Sequence, residues 1–134
     1  MSIYLLEGEN FDPIEGPTPA KVRDVIESLG KYETSFAVLT LPSGNYVQAA
    51  GDGEFCTLEK REHDPIRHCK AHYSEGSEVS TNKKHLITGA GEMTLEPDEF
   101  IRLSDAADFF EAFLEGRSDP NQIAWRSLNE FLGL

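Results

Sequence analysis

His63, His68 and His72 fall within ten residues, and Cys69 lies between the last two. These side chains hold zinc, or carry acid–base and thiol chemistry. On a helix, His68 and His72 would share a face at i,i+4 spacing, as paired zinc ligands do. However, Asp64-Pro65 precedes the stretch and the run up to Tyr73 alternates, which predicts a strand. On a strand the two histidines share a face but stand about 13 Å apart. A single metal ion with bonds of about 2 Å does not span that gap. Cys69 points to the other face. A small metal-binding protein or enzyme built on His63, His68, Cys69 and His72 is therefore the second reading of the chain.

Other catalytic patterns are missing. Neither Cys56 nor Cys69 lies in a C-x-x-C motif or a glycine-rich elbow, and no G-x-S-x-G occurs. Cys56, between Phe55 and Thr57, reads as a small packed residue. The glycines at 44, 51–53 and 89–91 precede no Lys-Ser or Lys-Thr and open no helix. They read as turn residues rather than as a phosphate cradle. No catalytic residue, cofactor or metal is assigned.

Four carboxylates stand out instead. Asp105, Asp108, Glu111 and Glu115 follow at spacings of three, three and four. On a helix they share one face, opposite Phe109, Phe110 and Phe113. No lysine partners them within the helix. An anionic stripe of this kind suits a basic protein partner, because it speeds association and responds to salt.

The elements that position these residues follow from periodicity. Thr18-Pro19 opens a helix over about 19–29, with Val22, Val25, Ile26 and Leu29 at helical spacing and Gly30 beyond its end. Ser35–Leu41, Tyr46–Ala50, Phe55–Arg61 and Ile66–Tyr73 read as strands joined by short turns, so neighbours pair antiparallel. Ser74–Asn82 is a polar loop, and Glu92–Leu95 is a fifth strand candidate. Tyr4–Leu6 has the look of a short strand before Pro13, Gly16 and Pro17 break regular structure. Ser104 caps a second helix that Gly116 stops. The tail beyond it holds Trp125 and ends as a helix or as a strand followed by a helix. The expected architecture is α+β. A four- to five-stranded, mainly antiparallel sheet carries an N-terminal and a C-terminal helix packed on one face. Its core is Val22, Ile26, Leu29, Val38, Val47, Leu58, Phe109, Phe110, Phe113 and Trp125.

Composition sets the outer bounds. The 134 residues fit a single domain spanning 1–134. They include 24 acids against 12 Lys and Arg, a net charge of -12. Such a balance disfavours nucleic acid and anionic membranes as partners. No apolar run approaches the ~18 residues of a membrane span, and the N-terminus lacks the basic start of a signal peptide. Two cysteines make no disulfide framework, so a cytoplasmic protein with free thiols is expected. The charge is uneven. Residues 1–16 carry Glu7, Glu9, Asp12 and Glu15 with no base, and residues 92–134 carry ten acids and three arginines. The middle of the chain is nearly neutral.

The order of motifs resembles the first immunity-protein family of bacterial polymorphic toxin systems, over roughly residues 18–126. The likeness rests on Tyr46-Val47-Gln48-Ala49-Ala50-Gly51 after a helix and a strand, then Phe55–Arg61. Leu103-Ser104-Asp105-Ala106 opening an aromatic helix and Ile123-Ala124-Trp125-Arg126 complete it. The resemblance implies an α+β fold and a non-enzymatic role, binding and neutralising a cognate toxin protein. It transfers no catalytic residues. The first reading is thus a cytoplasmic immunity protein that binds its partner through Asp105, Asp108, Glu111 and Glu115. An open sheet edge also leaves room for a homo-oligomer.

Overall fold

The structure, a computed structural model, describes residues 3–76, 79, 81–120 and 122–134. Part of the polar loop expected over Ser74–Asn82 lies outside the described residues. Strands β1 (Leu5–Gly8) and β2 (Phe11–Glu15) come first, then helix α1 (Pro19–Glu27). Strands β3 (Phe36–Thr40), β4 (Tyr46–Gly51), β5 (Phe55–His63) and β6 (Ile66–Tyr73) follow. Next are β7 (His85–Thr88), β8 (Gly91–Thr94), a single 3-10 turn (Pro97–Glu99) and β9 (Ile101–Arg102). Helix α2 (Leu103–Glu115), β10 (Ile123–Ser127) and α3 (Asn129–Leu132) complete the chain. Among the described residues no helix is long and apolar enough to cross a membrane.

The fold is α+β, as expected, but the strand count is corrected. The main sheet has eight strands, in the order β10-β6-β5-β4-β3-β1-β2 with β9 on β5, and β7 and β8 form a separate hairpin. The pairs are antiparallel throughout. The extra strands are short or lie at the edges. Pro13 sits within β2, which ends the sheet and so has one side free of ladder bonds. β10 lies in the tail and closes the other edge against β6.

Local signals explain the helices. The Thr18 hydroxyl accepts the Lys21 N–H at 3.1 Å, capping α1 with Pro19 at its first position. α2 starts two residues earlier than a Ser104 cap implies, at Leu103, with Arg102 in the cap position. Ser104 is therefore inside the helix, and its start makes no side-chain cap bond. Gly116, at φ 70, ends it in the left-handed conformation that favours glycine.

The strand alternation divides the sheet into two faces. Leu6, Leu39, Val47, Leu58 and Ala71 are completely buried and face the helices with Val22, Ile26 and Phe110. α1 packs on α2, and α2 packs on β4 and β5. At Gly51 the backbone runs so close to α1's end that an added Cβ would stand 2.9 Å from Leu29 Cβ. Val38 is a correction to the expected core. It lies half-buried on the opposite face, while its neighbours Ala37 and Leu39 are buried. Phe113 and Trp125 are partly buried and pack against the core. The Trp125 ring stands 5.0 Å from that of Phe109, and its Nε1–H donates to Asp119 at 2.8 Å.

Candidate functional site

The four carboxylates of α2 occupy three different settings. Asp105 is turned inward, with 14% of its side chain exposed. It accepts the Tyr73 hydroxyl at 2.6 Å, the Gln122 amide at 3.1 Å and Arg102 at 3.3 Å. Burial first, and then this bond to Asp105, push the Tyr73 phenol well above its usual range. Asp105 therefore joins the start of α2 to β6 and the tail.

Asp108 and Glu111 point to α1. Together with Glu27 they converge on the Arg23 guanidinium. Bonds to Asp108, Glu111 and Glu27, in that order, hold Arg23 even more firmly protonated than usual. Three carboxylates on one cation leave a local excess of negative charge. Glu115 bonds Arg117 at 2.7 Å near the helix end.

α1 has a second acidic flank. Between it and β2 runs an open groove of about 480 Å³ whose lining includes Asp12, Asp24 and Glu33, with Lys21 as the one cation among the lining residues. Phe11, Val25 and Tyr32 supply its apolar floor and rim, and Tyr32 is 82% exposed. Asp12 of the N-terminal segment thus lies on one flank of α1, and Asp108 and Glu111 of α2 lie on the other, while Asp98 and Glu99 of the acidic C-terminal third pair with Arg126 elsewhere.

The histidines are dispersed. His63 Nε2 lies 3.0 Å from the Gly44 carbonyl. His68 is buried and lies 2.5 Å from Glu59 through Nε2. His72 Nδ1 lies 3.0 Å from the Tyr73 carbonyl and 3.6 Å from Asp98. Cys69 is buried on the helix side of β6, away from His68 and His72. Among the described residues no group of three or more His, Cys, Asp or Glu side chains is placed to hold a metal ion. Cys56 is buried too, and desolvation pushes its thiol strongly up, away from the reactive thiolate.

Two features escaped sequence reading. A broad groove of about 1020 Å³ lies at the β6–β10 edge, where Arg126 reaches Glu99 at 2.7 Å and Asp98 at 3.2 Å. Its sequence signal is Glu96-Pro97-Asp98-Glu99, a capping box in which the Glu96 N–H donates to Glu99 at 2.8 Å. The other is Glu59, which β5–β6 pairing sets beside His68 on the polar face of the sheet. Neither a protein-family model, nor a curated protein, nor a solved structure matches the chain.

Proposed function

We propose that the chain is a non-enzymatic protein-binding module, a cytoplasmic immunity protein that neutralises a cognate bacterial toxin domain. The docking face is the acidic surface of α1 and α2, with Asp108, Glu111 and Glu115 on one flank and Asp24 on the other. Asp105 holds α2 in place beneath it. The observation that carries this reading is the convergence of Glu27, Asp108 and Glu111 on the single cation Arg23. Beside it runs the acid-lined groove of β2 and α1. Charge of one sign on adjoining elements steers a basic partner over a Debye length of about 8 Å at physiological salt. A toxin that acts on nucleic acid needs a basic cleft for phosphates, and this face complements such a cleft.

The test is co-purification with the product of the neighbouring gene, followed by association kinetics at rising salt. The expected result is a complex whose on-rate falls roughly tenfold or more between low and high salt. The double charge reversal Asp24→Lys with Glu115→Lys should slow association further without unfolding the chain. No complex, or association indifferent to both salt and charge reversal, would overturn the reading.

A further inference from the structure

The face of the sheet away from the helices carries a small cavity of about 110 Å³. Its floor is Phe36 and Val38 of β3, Gln48 of β4, and Thr57 and Glu59 of β5; Met93 of β8 closes it from above. The register places Val38 opposite Gln48 and Gln48 opposite Glu59, so these side chains share one face. The β7–β8 hairpin, a sheet of its own, roofs the site.

Three polar groups line it. Thr57 is only 4% exposed, and its hydroxyl has no hydrogen-bond partner among the described residues. Such a group costs about 1–3 kcal/mol when left unmade. The Gln48 amide lines the cavity half-buried. Glu59 has one, the Nε2 of His68, at 2.5 Å. The Arg61 Nε–H donates to the other ring nitrogen, Nδ1, at 3.0 Å. Glu59 keeps 17% of its side chain exposed, and among the described residues no Lys or Arg forms an ion pair with it, although strand register sets Lys70 opposite it.

We propose that this cavity binds a small organic ammonium ion, a primary amine on a short alkyl chain. An ammonium group carries three donors and no acceptor. The cavity offers three acceptors, the Glu59 carboxylate, the Thr57 hydroxyl and the Gln48 carbonyl oxygen. The positive charge neutralises Glu59, and the alkyl chain packs on Phe36, Val38 and Met93. The volume admits a few heavy atoms, and the hairpin roof selects a free small molecule over a side chain carried on a polypeptide. The site is separate from the acidic face of α1 and α2 and does not depend on the partner proposed for that face.

The experiment is a ¹H–¹⁵N NMR titration of the full chain with n-propylammonium chloride. Sodium chloride at equal ionic strength and n-propanol serve as controls. Saturable shifts are expected at the amides of Gln48, Thr57 and Met93 with the amine alone. Glu59→Gln keeps the acceptor for His68 but removes the charge, and should weaken binding at least about tenfold. Thr57→Val should weaken it by a few-fold. Absence of saturation with the wild-type chain would overturn the proposal, whatever the variants do. So would equal shifts with sodium or propanol, or unchanged affinity in Glu59→Gln.

Discussion

The two faces of the sheet are built by alternate residues of the same strands, yet they differ in kind. Toward the helices stand Leu39, Val47, Leu58 and Ala71, all fully buried. Toward the hairpin stand Gln48, Thr57 and Glu59, each next in sequence to Val47 or Leu58. One face holds the molecule together by excluding water. The other keeps polar groups in fixed places and leaves some of them incompletely satisfied. Stability and chemistry are therefore separated by a single step along each strand.

The largest expected effect tests the apolar side. Phe110 is fully buried and packs edge-on against Phe109 at 6.2 Å between ring centres. Phe110→Ala should cost about 3–5 kcal/mol through lost burial and the cavity left behind. Urea unfolding monitored by circular dichroism measures this, and a loss below about 1 kcal/mol would contradict the division between the faces.

A smaller effect separates the carboxylates of α2. Asp105 receives the Tyr73 hydroxyl, the Gln122 amide and Arg102. Its replacement by Ala leaves the Tyr73 hydroxyl accepting only the Arg102 N–H, with no acceptor for its own proton, and should cost about 2 kcal/mol. Asp108 is half-exposed and shares Arg23 with two other acids. Asp108→Ala should cost no more than about 1 kcal/mol. Comparing the two by thermal unfolding sharpens the line between an acid that holds the fold and one that faces a partner.

The legibility of these features in the sequence follows from how local their causes are. β6 was readable to its ends, Ile66 and Tyr73, because a turn with proline precedes it and its residues alternate. The α1 cap is a contact across three residues, Thr18 to Lys21. Phe36-Ala37-Val38-Leu39 is apolar at every position, so periodicity does not say which residues face the helices, and Val38, expected in the core, faces the other way. Pro13, which an edge strand tolerates, hides β2, whereas β10 followed by α3 matches one of the two sequence readings of the tail, a strand and then a helix, which periodicity does not separate from a helix alone. The acidic stripe was visible in spacing alone. Its cation was not, because Arg23 lies 85 residues from Asp108 and only the α1–α2 packing joins them. Glu59 and His68 become neighbours through strand register, which no short window of sequence contains.

Asp52, in the turn between β4 and β5, tests how the polar side is anchored. Burial alone would raise its carboxyl, but the N–H groups of Phe55 and Glu54 and the Lys83 ammonium outweigh it and set it below the usual value. Lys83 lies in the segment that leads into the hairpin. A carboxyl lowered in the folded state adds stability above its unfolded value, about 3.9, and loses it as pH falls through the folded value. The melting temperature of wild type should exceed that of Asp52→Ala near neutral pH, and the gap should close below about pH 4. A gap that does not change with pH would mean that the ionised carboxylate contributes nothing.

The smallest effect bears most directly on the polar face. On the helix side, shortening a side chain removes contacts and is expected to destabilise. At Thr57 the opposite logic applies. Valine has nearly the shape of threonine, so Thr57→Val leaves packing almost unchanged and removes a hydroxyl that is buried without a partner among the described residues. The free chain should keep its stability within about 0.5 kcal/mol or gain up to about 1 kcal/mol. A loss above about 1 kcal/mol in amine-free buffer would mean that the hydroxyl is already satisfied within the folded chain. The cavity would then lose its one buried, unpartnered acceptor, and the contrast between the two faces of the sheet would weaken.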